Sequence, residues 1–142
     1  MQVSSVISAI VEKDVPAIDV IGVRARVPVD EIGRLVQEAA SRLCGAPAGR
    51  PLAIYYDTVF DPRSVDVEVV YPVAAGADQT LLPVHVVSLI HHGPYASIHE
   101  TYAALYAWVG EYGRRQFGPV REVYLSGPGE SPATEVQVPL MP

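Results

Sequence analysis

The chain has 142 residues, of which 49% are apolar and 18% charged, with 10 Lys and Arg against 16 Asp and Glu for a net charge of −6. That length supports one domain with its own hydrophobic core, and the composition is globular rather than disordered or membrane-embedded. The acidic balance argues against direct nucleic-acid binding, which needs a basic face.

Residues 1–11 are moderately apolar but lack the basic start and cleavage site of a leader. Residues 3–12 and 17–27, rich in Val and Ile, predict extended strand interrupted by Lys13-Asp14 and Pro16. Within 19–27, Val20, Gly22, Arg24 and Arg26 alternate with Ile21, Val23, Ala25 and Val27, the period of a half-buried strand. Pro28 opens a helix with Asp30 and Glu31 in its first turn. Ile32, Leu35, Val36, Ala39 and Leu43 form its apolar stripe, and Gly45 with Pro47 ends it. Cys44, the one cysteine, excludes an internal disulfide and reads as a buried or half-buried packing residue. Residues 52–57 and 65–73 predict a strand pair around Asp61-Pro62, and 74–80 a linker.

The plan then repeats. Pro83–Ile90 predicts a strand, and Gly93-Pro94 turns the chain into a helix reaching about Gly113. Ser97 and Glu100 have capping-box spacing. Ile98, Tyr102, Leu105, Val109 and Tyr112 form a core-facing stripe with Trp108 beside it. Arg114-Arg115, the one adjacent basic pair, falls at the helix end, where cations complement the dipole. Residues 121–125 and 134–139 predict a final strand pair around Gly127-Pro128-Gly129. Every apolar run is broken well short of a bilayer span, so no membrane segment is expected and the location expected is cytoplasmic.

Glu68-Val69-Val70-Tyr71-Pro72-Val73 matches Glu135-Val136-Gln137-Val138-Pro139-Leu140, an offset of 135 − 68 = 67. The chain is thus one domain, 1–142, carrying an internal repeat, the first copy about 1–73 and the second about 81–142. The expected fold class is α+β: a duplicated β-α-β-β module, with a curved antiparallel sheet, two helices on one side and a ligand cleft on the other. Aligning Ala53-Ile54-Tyr55-Tyr56 with Arg121-Glu122-Val123-Tyr124 sets Glu122 opposite Ile54. Strand alternation puts Glu122 and Tyr124 on one face, with Val123 and Leu125 expected against the helix. Ile54 and Tyr56 would then mirror Glu122 and Tyr124 across the cleft, while Tyr71 groups with Val67 and Val69. Aromatic faces beside one carboxylate suit a planar or cationic organic molecule. The four histidines, His85, His91, His92 and His99, lack companion ligands at metal spacing, so no metal and no cofactor are expected.

His92-Gly93-Pro94-Tyr95, the helix with Ala107-Trp108, Arg121-Glu122-Val123-Tyr124-Leu125 and Thr134-Glu135-Val136-Gln137-Val138-Pro139 occur in an order and spacing that resembles the GyrI-like effector-binding domains. These form the ligand-binding part of BmrR-type and some AraC-type regulators and also occur alone. The resemblance covers essentially the whole chain, most specifically 91–140. It implies an aromatic pocket for lipophilic, often cationic, compounds, with Glu122 as the buried counter-charge. It also implies Tyr124 and Tyr95 as lining residues. Residues 1–27 show no helix-turn-helix pattern, so a free-standing member is expected.

The leading function is therefore multidrug-type small-molecule binding by Glu122, Tyr124, Tyr95, Tyr56, Ile54 and Tyr71. A buried Glu122 would carry a proton until a cation arrives, so cation affinity would rise with pH. The alternative, implied by free-standing relatives, is a hydrolase of cyclopropane-bearing cytotoxic compounds, with Glu122 as general base and Tyr124 or Tyr95 as its phenol. A protein partner, such as a DNA enzyme or a regulator, ranks last because no concentrated acidic run is present.

Overall fold

Pro16 and Pro83 are the points at which the chain leaves one compact unit for the other. The computed structural model describes residues 9–142. Its elements in order are β1 (Val11–Val15), β2 (Ile18–Val27), α1 (Ile32–Ser41), β3 (Leu52–Tyr55), β4 (Val65–Pro72), β5 (Gln79–Leu81), β6 (Val84–His92), α2 (His99–Glu111), β7 (Val120–Tyr124) and β8 (Ala133–Pro139). A turn of 3-10 helix leads into each α-helix, Val29–Glu31 and Tyr95–Ser97. The fold class is α+β, and the module is present twice.

The unit Pro16–Pro83 holds an antiparallel sheet in the order β5-β2-β4-β3, with α1. Val65, Val67 and Val69 of β4 are buried, as are Ile32, Leu35 and Ala39 on one stripe of α1. The unit built on Val84–Pro142 takes β1 as its first strand and has the order β1-β6-β8-β7, with α2. Its core joins Leu105 and Val109 of α2 to Val87, Leu89, Val120, Val136, Val138 and Leu140. Burying each such side chain contributes about 1.5–3 kcal/mol relative to leaving it in water.

The two units follow one recipe, and each edge strand lies just ahead of the other module's first strand. β1 precedes β2 in sequence but pairs with β6, Val15 opposite Val84. β5 precedes β6 but pairs with β2, Leu81 opposite Ile18. Proline ends both edge segments because it has no N–H for a ladder.

Several local expectations change. Lys13-Asp14 lies inside β1 rather than breaking it; an edge strand tolerates charge, and Lys13 Nζ reaches Glu135 at 2.6 Å. The part of the predicted strand before residue 9 lies outside the described residues. The linker 74–80 contains the start of β5, too short to show a period. Cys44 is exposed just past α1, not packed. Ser97 makes no capping box; its hydroxyl donates to the Pro94 carbonyl at 3.0 Å. Tyr112, beyond the last turn of α2, is exposed. No helix among the described residues is long and apolar enough to cross a membrane.

Gly22 on β2 is required by close approach. A Cβ there would stand 2.6 Å from Val70 Cγ1 and 2.9 Å from the Val69 carbonyl oxygen. Gly22→Ala is expected to cost about 1–3 kcal/mol through overpacking, measured by urea unfolding; an unchanged midpoint would show that the strands separate freely.

His85 on β6 is clasped from β1, its Nε2 2.6 Å from Glu12 Oε2 and its Nδ1 2.6 Å from Asp14 Oδ1. Carboxylates only accept, so both nitrogens donate and the ring is an imidazolium. The bonds to Glu12 and Asp14 raise its pKa above 6.5, while Arg114 also holds Glu12 at 2.9 Å. Being raised, His85 adds stability that is complete below pH 6.5 and fades as pH climbs through the folded-state value. An NMR titration should place its midpoint above 6.5 and bring it down in Glu12→Gln.

Candidate functional site

On β7 the alternation groups Val120, Glu122 and Tyr124 on one face and Arg121 and Val123 on the other. Val120 belongs to the cluster that holds Leu105 and Val109, and the strand partner of Glu122 is Val136 of the same cluster. Glu122 and Tyr124 therefore lie on the helix side, reversing the expectation that Val123 and Leu125 would. Apolarity could not decide between the faces because both are buried: Val86, Ser88 and Gln137 of the opposite face are nearly inaccessible.

Glu122 is 2% exposed and its carboxylate collects phenols. Oε1 accepts from Tyr95 at 2.5 Å and, through a longer contact of 3.4 Å, from Tyr124. Oε2 accepts from the Tyr102 hydroxyl. Burial first, and then the adjacent Glu122 charge, push the Tyr102 phenol far above its ordinary value, so it remains a donor across the working range. The Tyr95 and Tyr124 rings stand 6.5 Å apart with planes inclined by 56°, and Tyr102 stacks over Tyr106 at 6.5 Å. An acidic side chain on an apolar helix-facing strip is tolerable because hydrogen-bond donors replace the water it lost.

Each phenol comes from a different element. Tyr124 is two residues along β7 from Glu122, and Tyr102 comes from the second turn of α2. Tyr95 opens the 3-10 turn that follows Gly93, whose φ of +127° favours glycine. By sequence alone Tyr102 reads only as part of the core stripe. The signal that could have found it is its chemistry: a tyrosine at a leucine-like position must find a partner for its hydroxyl.

Tyr56, Ile54 and Tyr71 lie in the other compact unit. There Ile54 is buried opposite Glu68 on β4. Glu68 Oε1 accepts from Tyr56 at 2.6 Å and Oε2 from Gln79 at 2.5 Å, while the Arg24 guanidinium lies 3.8 Å over the Tyr56 ring. Tyr71 pairs with Ile21 and shares its face with Val67 and Val69. Glu135, the repeat mate of Glu68, is held instead by Lys13 and by Gln137 at 3.1 Å.

Register also corrects the repeat alignment. Val69 plus 67 is Val136; Ala53 pairs with Val69 and Glu122 with Val136, so Glu122 answers to Ala53, an offset of 69, and Tyr124 to Tyr55. Connections of unequal length shift this strand by two relative to its neighbour. The contrast between the copies persists, a carboxylate standing where the first has a methyl group.

The second copy of a duplicated α+β module thus gathers a carboxylate and three phenols under one helix. The chain belongs to the GyrI-like family: the family model for the GyrI-like small molecule binding domain matches residues 8–141. By sequence comparison none of the curated proteins matches. Among solved structures, the EcmrR C-terminal domain is similar at 24% identity and a TM-score of 0.83, covering 93% of this chain and 96% of that one. In the EcmrR–DNA complex the similarity covers 92% of this chain but 56% of EcmrR, so the chain spans little more than half that protein's length. A hydrolase encoded by lin2189 from Listeria innocua shares the fold at 16% identity and a TM-score of 0.65, covering 93% of this chain and 91% of that one.

Tyr102→Phe removes the donor on Oε2 and should lower stability by about 1–3 kcal/mol. Tyr106→Phe, whose hydroxyl meets exposed Gln116, should stay within about 0.5 kcal/mol. Chemical denaturation of both variants checks the contrast; equal losses would remove the special status of the Glu122 cluster.

Proposed function

We propose that the domain binds hydrophobic, in part cationic, small molecules, with Glu122 as counter-charge and the rings of Tyr95, Tyr102 and Tyr124 as its aromatic surround. The observation that carries this reading is a carboxylate almost sealed from water whose oxygens are met by phenol protons. Those protons offset the cost of burying the charge, and a ligand cation can take their place. Rings held at an angle beside the carboxylate add cation–π attraction for a planar or methylated cation. Membership of a small-molecule-binding family supports the class of ligand. Tyr56, Ile54 and Tyr71, expected from the sequence to line the same cleft, belong to the other unit, where Tyr56 is engaged by Glu68 and Ile54 is the counterpart of Val123 rather than of Glu122. Cytoplasmic action, and coupling to a DNA-binding regulator of the EcmrR kind, are part of the same proposal.

A second reading is favoured by the Listeria hydrolase of the same fold. Glu122 would accept a proton from water while a phenol, Tyr95 or Tyr124, returns one to the carbon released from a strained ring. The water's hydroxyl bonds to one carbon as the C–C bond breaks, the phenol's proton goes to the other carbon, and Glu122 passes its proton to the phenolate, restoring both groups.

Glu122→Gln separates these readings. Binding of a lipophilic cationic dye, followed by fluorescence, should weaken about 10–100-fold, the worth of one charge-assisted hydrogen bond. A neutral aromatic of similar size should change less than about threefold. Mass spectrometry of cyclopropane-bearing compounds should return them unchanged for a binder. A hydrated product that vanishes in Glu122→Gln would establish the hydrolase, and equal dye affinity in both proteins would remove Glu122 from the site.

A further inference from the structure

Among the three phenols on Glu122, Tyr95 is the most exposed, at 39%, so it lies on the solvent side of a carboxylate that is 2% exposed. Its placement depends on the turn that carries it, and that turn is tied down by a buried group the site has not used. His91, 6% exposed, lies on β6 opposite Thr134, which in turn lies opposite Tyr124. Its Nε2 is 3.0 Å from the Pro94 carbonyl oxygen and 3.2 Å from Ser97 Oγ, and its Nδ1 is 2.8 Å from Thr101 Oγ1 on α2.

A carbonyl oxygen brings no proton, so the network assigns a hydrogen to Nε2, and the Thr101 hydroxyl, able to donate or accept, completes the bond at Nδ1. One ring thus joins strand, turn and helix. Pro94 directly precedes Tyr95, and the turn is anchored at its other side by the Gly93 N–H to the Pro132 carbonyl at 3.0 Å.

We propose that His91 is the positioning residue of this site: through Pro94 it holds Tyr95 on Glu122, and the turn 93–97 is the gate that a ligand must open to reach the carboxylate. The positioning half stands on the contacts alone. The gating half rests on Glu122 being the ligand's counter-charge. His91 does not touch ligand; removing its grip frees Tyr95 without changing the charge or the other two phenols.

The test uses the full chain labelled with ¹³C at tyrosine Cζ, whose shift reports the hydrogen bond of each phenol. His91→Phe keeps a ring but loses both nitrogens, whereas in His91→Gln the amide can still donate to Pro94. In ligand-free protein the Tyr95 signal should move toward that of a solvated phenol in His91→Phe and return toward the wild-type position in His91→Gln. The Tyr102 signal, unmoved, shows that the fold persists. Stopped-flow binding of a cationic rhodamine dye should show association and dissociation both about tenfold faster in His91→Phe, the equivalent of one lost buried hydrogen bond. In a Tyr95→Phe background the same substitution should change either rate less than about twofold, because its effect runs through Tyr95. If His91→Phe fails to fold, Thr101→Val, which removes the hydroxyl bonded to the ring at Nδ1, should move Tyr95 in the same direction by less. A Tyr95 signal unmoved in a folded variant overturns the positioning role. Unchanged dye rates with a shifted Tyr95 overturn the gate. A wild-type protein that binds no dye also removes the gate, together with the proposed function, while the NMR result still decides the positioning.

Discussion

A carboxylate buried among valines needs hydrogen-bond donors, and meeting that need fixes much of the second module. Glu122 cannot be sealed beneath α2 unless protons are brought to both of its oxygens. The sequence supplies them from three directions: along the same strand, down from the helix, and in from the turn after β6. Each supplier is then constrained in turn. Tyr102 must sit one turn inside α2, Tyr95 must emerge from a backbone that only glycine adopts readily, and Tyr124 must keep the parity of Glu122. The apolar packing of Leu105, Val109, Val120 and Val136 gives the unit its stability. The polar cluster gives it a single arrangement at the end where chemistry is concentrated.

The first module meets a similar need differently. Glu68 is also nearly buried, and it too receives a phenol, from Tyr56. Its second oxygen takes a side-chain amide, Gln79 from the edge strand, and the Arg24 guanidinium lies over the Tyr56 ring while its fork grips Asp66 at 2.9 and 3.0 Å. Every group there is matched by another of its own unit, and the result is a brace between β2, β4 and β5. Two carboxylate–tyrosine contacts in related modules thus differ in character. One is reinforced by an amide and a guanidinium; the other is surrounded by rings.

The elements were legible in the sequence wherever periodicity was strong. The α1 stripe of Ile32, Leu35 and Ala39, the alternation along β2, and the β3–β4 and β7–β8 pairs all follow from spacing and turn chemistry. Glu122 was legible as an anomaly, a charge inside an apolar strand that has an uncharged counterpart. Its face was not, because the neighbouring residues are buried on both sides and Val123 looks as inward as Val120. The exact counterpart was not either: turns of unequal length displaced β7 by two residues against β8, which only backbone pairing reveals. Tyr102 was hidden by its own good fit to a helical stripe. β5 was hidden by brevity, and β1 by charges that an edge strand accepts.

The crossing of β1 and β5 has a consequence for how such a chain could have come about. Each module borrows its outermost strand from the segment leading into its sibling, and the two borrowings are reciprocal. A half-length ancestor with one module would have had a donor arm and, in the first strand of its sheet, an acceptor edge that the arm directly precedes in sequence. Two copies of that ancestor could satisfy each other by swapping arms, and fusing them head to tail would preserve the swap while making it permanent. A fusion of that kind would also release the copies from sameness, so that position 53 can hold an alanine while position 122 holds a glutamate. A carboxylate present in one copy of a repeat and absent from the other is what a fused pair can evolve and a homodimer cannot.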